Sequence, residues 1–96
     1  MLLFQLPALP TVTASPSYHV IDEANPTSCS VTLSADQGWT VSRVVPTYVG
    51  HVCEDGRWGD NDVQDAGQTV VLIVELTKEG ELSVLRPVEI EVRASN

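Results

Sequence analysis

The residues of this chain whose types could support chemistry are two histidines, two cysteines and a run of carboxylates. His51 stands two residues before Cys53, which in an extended segment puts both on one face. A thiolate beside an imidazole is the start of a nucleophilic site, but the base must be oriented by a third group. No spacing marks such a group, and the GxSxG nucleophile elbow does not occur. The reading is therefore an ordinary half-buried strand, and no catalytic residue is expected.

Cys29 and Cys53 are too few for a disulfide-stapled scaffold. Two readings stay open for them: buried free thiols, or one bridge between neighbouring strands. With no CxxC-type pair, metal binding is not expected. Asp60, Asp62 and Asp65, near Glu54 and Asp55, resemble a cation loop only at first sight. In an EF-hand register starting at Asp60, Gln64 holds the fifth position, Asp65 the sixth and Val71 the twelfth. The sixth should be glycine and the twelfth glutamate, so the match fails and a solvated acidic loop is expected. A glycosidase carboxylate pair would need an aromatic-lined cleft, which the sequence does not suggest. The glycines are scattered singly, so no phosphate loop is present. No cofactor is expected.

The net charge of −8 opposes binding to nucleic acid or to an anionic membrane. The bases Arg43, Arg57, Lys78, Arg86 and Arg93 are dispersed. Trp58 lies in the polar stretch 54–68, between Gly56 and Gly59. Tryptophan and arginine are the residue types of interface hot spots, so Arg57 and Trp58 form a candidate partner-binding pair. The competing reading folds Trp58 back over the end of the core.

The elements that must carry these residues are strands. Segments 28–35 and 88–93 alternate polar and apolar without a slip. That period of two marks a strand with one dry face. Fifteen valines and eight threonines favour the pleated surface over a helix. Strands are predicted at 11–14, 18–21, 28–35, 39–45, 47–53, 69–77, 82–86 (ending at Pro87) and 88–93. Asp36-Gln37-Gly38 and Lys78-Glu79-Gly80-Glu81 are predicted hairpin turns. Residues 54–68 read as one long irregular loop, with a helical turn around 62–66. Val70–Val74 is five apolar residues in a row, which predicts cover on both faces. Tyr48 and Trp39 are expected in the core.

These readings predict an all-β protein. Its architecture would be a single small antiparallel β-sandwich, Ig-like, or a partly open barrel of about seven strands. Residues 1–10 form an extended apolar arm, and residues 11–96 form the domain. The apolar start lacks a preceding basic residue and is interrupted by Gln5 and Pro7, so neither a secretory signal nor a membrane span is expected. Leu2, Leu3, Phe4, Leu6 and Leu9 would lose solvation cost by lying on a neighbour, and the prolines lower the entropy of ordering them. The expected function is structural and non-enzymatic. Its most concrete form is a bacteriophage virion accessory protein of the capsid cement or decoration type, made in the host cytoplasm, with protein partners in a capsid or other oligomer. Two further classes fit the composition: a small acidic inhibitor of a host nuclease or defence protein, and an Ig-like adhesion or carbohydrate-binding module.

Overall fold

The computed structural model describes residues 9–45 and 49–95. The strands are β1 (Val12–Ser15), β2 (Tyr18–Val20), β3 (Val31–Ala35), β4 (Thr40–Val45), β5 (His51–Val52), β6 (Arg57–Gly59), β7 (Thr69–Thr77) and β8 (Val84–Arg93). They build two four-stranded sheets, ordered β1-β3-β6-β5 and β2-β8-β7-β4. The protein is all-β. Two short 3₁₀ turns, Glu54–Gly56 and Val63–Asp65, flank the loop segments.

Alternation explains the core. Val31 and Leu33 on β3, Leu72, Val74 and Leu76 on β7, and Val88, Ile90 and Val92 on β8 all point inward. Glu89, Glu91 and Arg93 take the opposite face of β8. The β7–β8 ladder runs from Thr69↔Glu91 to Leu76↔Val84, and its turn closes with the Glu81 N–H donating to Lys78 O. On β2, Tyr18 lies under the Arg93 guanidinium at 3.7 Å, and Arg93 in turn pairs with Glu91.

Several features depart from the sequence reading. β3 and β4 are not a hairpin. The turn at Asp36–Gly38 carries the chain from one sheet to the other. Period-two burial cannot tell these cases apart, because strands facing each other across a core alternate as paired strands do. The pairing is not wholly antiparallel, since β2 runs parallel to β8 through Tyr18↔Glu91 to Val20↔Arg93. β8 continues through Pro87. β2 meets only Glu91–Arg93, so the flank of β8 beside Pro87 has no ladder to complete. The stretch 47–53 yields only the two-residue β5, and Tyr48 lies outside the described residues. β4 carries a bulge between Val41 and Arg43.

Among the described residues the run Val70–Val74 is sealed on its core face. Leu72 and Val74 are sealed, but Val71 is 50 % exposed. The largest correction concerns residues 54–68. This stretch holds β6, an interior strand paired with β3 through Val31↔Trp58 and with β5 through Val52↔Trp58.

Candidate functional site

Trp58 is fully buried at the centre of that inserted strand, and its Nε1–H donates to Val49 O at 3.2 Å. It is therefore a core residue and is removed from the partner-binding set. The alternation of β6 sends Arg57 outward, where it is exposed. Gly59 follows because a Cβ there would run into the Ser28 carbonyl.

β6 delivers three polar residues to one end of the sheet. Asp60 is buried, Asn61 half-buried and Asp62 exposed. Asn61 acts as a clip between segments far apart in sequence. Its Oδ1 accepts from the Asp22 N–H at 2.9 Å and from His19 Nε2 at 3.1 Å. Its Nδ2 donates to Pro26 O at 2.8 Å and Ser28 O at 3.3 Å. An amide oxygen accepts only, so His19 carries its proton on Nε2, and Nδ1 accepts from the Ser30 hydroxyl at 2.6 Å. The His19 ring also meets the Trp58 ring edge-on, 6.3 Å between centroids.

Serine, histidine and asparagine thus stand in the order nucleophile, base, orienter. The chemistry of that row is poor. A general base must become imidazolium, and His19, 1 % exposed, has a neutral amide where a triad has a carboxylate. The row works as a satisfied buried network that pins the 22–30 segment to the 60–62 segment.

Asp60 does not join a solvated loop. Its Oδ1 accepts from the Asp62 N–H at 3.0 Å, and Asp62 in turn caps the Val63–Asp65 turn through the Gln64 N–H. The buried Oδ2 of Asp60 has no donor unless Asp65 supplies one. Hydrogen bonding to Asp60 is the main cause that pushes the Asp65 carboxyl up to about 6, with burial and the charges of Asp60 and Asp62 adding to it. A raised folded-state pKa means that the native state holds this proton more tightly than the unfolded chain. The stabilisation from Asp65 is thus full below about pH 4 and is lost as pH rises through about 6. Asp65→Asn keeps a donor for Asp60 at every pH. It is expected to raise the melting temperature at pH 8, to leave it nearly unchanged at pH 4, and to flatten the pH profile between. Thermal melts across that range check this.

Cys29 and Cys53 form a disulfide with a Cα–Cα distance of 6.2 Å, so the bridge is the reading the structure adopts. Neither sulfur is available as a thiolate in this state, which removes the Cys53–His51 dyad. The bond ties the approach to β3 to the end of β5 and closes a loop across 24 residues. A constraint of that span is worth about 3 kcal/mol. His51 donates from Nε2 to Ser28 O at 3.0 Å, the same carbonyl that Asn61 uses. Its ring is one wall of a cavity of about 260 Å³ shared with Pro26, Gly50, Asp60, Asn61 and Asp62. Sequence spacing separated Cys29 from His51 and Cys53, and only the β3–β6–β5 pairing brings the three together.

At the other end of the molecule lies a largely apolar groove of about 490 Å³, lined by Leu9, Pro10, Trp39, Leu82 and Val84 together with Lys78, Glu81 and Ser83. Leu82 is 89 % and Leu9 59 % exposed. Trp39 is only half-buried, with the Lys78 ammonium 5.9 Å from its ring centre. Of the five arm residues, only Leu9 is described; Leu2, Leu3, Phe4 and Leu6 lie outside the described residues. No helix among the described residues is long and apolar enough to cross a membrane.

The fold and its two ends define a small two-sheet β domain with an apolar groove at one end and a disulfide–histidine cluster at the other. Comparison with protein-family models, curated proteins and solved structures returns no match for this chain.

Proposed function

We propose that the protein is a non-enzymatic structural module that joins an assembly by laying apolar surface on neighbouring protein subunits. The observation that carries this reading is the groove around Leu82 and Leu9. It is largely apolar and open, and its lining includes Leu9 and Pro10, the described end of the apolar N-terminal segment. Exposed leucines in one contiguous patch are what monomeric domains avoid and interfaces use. The setting we propose is the virion of a bacteriophage, where the chain would act as a capsid cement or decoration protein. A small acidic β domain with an apolar extension suits that task, and this part of the reading rests on architecture.

The acidic-inhibitor reading is not favoured. The carboxylates of 54–65 do not form one outward face, because Asp60 is internal.

Native mass decides the assembly reading. The full chain is expected to associate with itself as concentration rises, as read by light scattering. Leu82→Glu, and separately removal of residues 1–8, should return it to the 10.4 kDa monomer. Burying a carboxylate in place of Leu82 removes apolar area and adds a desolvation cost. A full chain that stays monomeric at every concentration overturns the proposal.

A further inference from the structure

We propose that Cys29, His51 and Cys53 form a zinc site that is closed while the disulfide is intact and opens when that bond is reduced. This inference does not depend on the assembly reading.

The geometry is close to what the ion requires. One ligand atom from each of the three residues lies within 4.8 Å of the other two. Zinc with Zn–S near 2.3 Å and Zn–N near 2.0 Å sets its ligand atoms about 3.5–3.8 Å apart. Opening the S–S bond lets the sulfurs separate toward that spacing, and the imidazole nitrogen, already within 4.8 Å of both, needs only a small adjustment to reach it. Two thiolates and an imidazole form a soft donor set that favours zinc over calcium or magnesium.

The hydrogen bond of His51 decides which of its nitrogens would bind the ion. Its Nε2–H is held by Ser28 O at 3.0 Å, so the unprotonated nitrogen is Nδ1. A main-chain carbonyl holding the other N–H is the usual outer partner of a metal-binding histidine. The reduced cysteines also have partners waiting. Cys53 Sγ lies 3.6 Å from Thr27 O, and Cys29 Sγ lies 3.8 Å from His51 O. Each thiol can donate there before metal arrives.

The support is a short segment at the edge of its sheet. His51 belongs to β5, a two-residue strand at the sheet edge that, among the described residues, pairs only with β6. Short edge segments open at low free-energy cost. The three residues leave a fourth position, and His51 opens onto the 260 Å³ cavity, from which water can fill it.

The chemistry balances with a dithiol or phosphine reductant. The reductant gives two electrons, the S–S bond breaks, and two thiols form with two protons. The dithiol closes to its own disulfide, or the phosphine becomes its oxide using oxygen from water. Zinc then displaces both thiol protons, so binding strengthens as pH rises.

Cobalt(II) is the probe, since its thiolate complexes absorb in the near ultraviolet. After phosphine treatment the full chain is expected to bind one cobalt ion with a thiolate-to-metal charge-transfer band, and zinc should abolish the band. The oxidised chain and the Cys29→Ser/Cys53→Ser variant should show none. His51→Ala should bind at least tenfold more weakly. Fold is followed in parallel by circular dichroism and Trp58 fluorescence. If reduction unfolds the chain, zinc is expected to refold it. A reduced chain that stays folded without the band, or that unfolds and is not rescued by zinc, overturns the proposal. So does His51→Ala binding as tightly as the parent.

Discussion

Trp58→Ala is expected to abolish the cooperative fold or to leave it barely stable. The side chain is fully buried, lies between β3 and β5 in its own sheet, and packs its edge against His19. Truncating a buried tryptophan costs about 3–5 kcal/mol. A domain of this size has about 5–15 kcal/mol in total. The loss is not confined to packing. The indole N–H is the partner of Val49 O, and that carbonyl would face a cavity unpaired. Arg57→Ala, one residue away on the exposed face of the same strand, is expected to change stability by less than about 0.5 kcal/mol. Urea denaturation of the pair checks both values. Equal, small effects would mean that Trp58 does not anchor the core.

The same residue shows where sequence reading loses its grip. Segment 88–93 and the 31–35 part of the alternating stretch 28–35 were legible because alternation is a local signal, and so was β7, whose bounds Thr69–Thr77 match the apolar run and its threonine flanks. β6 has no such signal. Three residues between glycines and acids cannot display a period, and the strand exists only because β3 and β5 offer it ladders on both sides. Its partners are distant in sequence, so nothing near Trp58 announces them. The partner-binding reading of Trp58 failed for this reason: a tryptophan amid polar residues looks exposed when the strand beneath it is invisible.

The site was legible in residue types and not in grouping. Cys53 and His51 stood out by spacing. Cys29 joins them through sheet pairing, and Ser28 and Asn61, which hold His51 and the neighbouring loop, carried no pattern at all. Asn61 sits between two aspartates, where a solvated run is the ordinary expectation. What reverses that expectation is the burial of Asp60, and burial is decided by the turn that follows β6. The groove at Leu82 was missed for the opposite reason. Residues 82–86 read as part of a strand, yet β8 begins at Val84 and leaves Leu82 outside the ladder.

Gly59→Ala is expected to be as damaging as the loss of Trp58, although it adds a single methyl group. The new Cβ would meet the Ser28 carbonyl and lie 3.0 Å from Cys29 Cα. Both obstacles are backbone, so no rotamer change relieves the clash. β6 and the 28–29 segment must move apart. That movement strains the disulfide at Cys29 and draws Ser28 O away from His51 and Asn61 together. Overpacking against backbone at one point, with several buried hydrogen bonds attached to it, costs about 3 kcal/mol or more. Gly80→Ala is the control. It has positive φ in the β7–β8 turn but nothing within 4 Å of the added atom, so only the local conformational cost of about 1 kcal/mol applies. The two variants differ by the same methyl group, and their denaturation midpoints should separate widely. If Gly59→Ala melts with Gly80→Ala, then β6 is not held against the 28–29 segment, and the close grouping of Cys29, His51 and Asn61 goes with it.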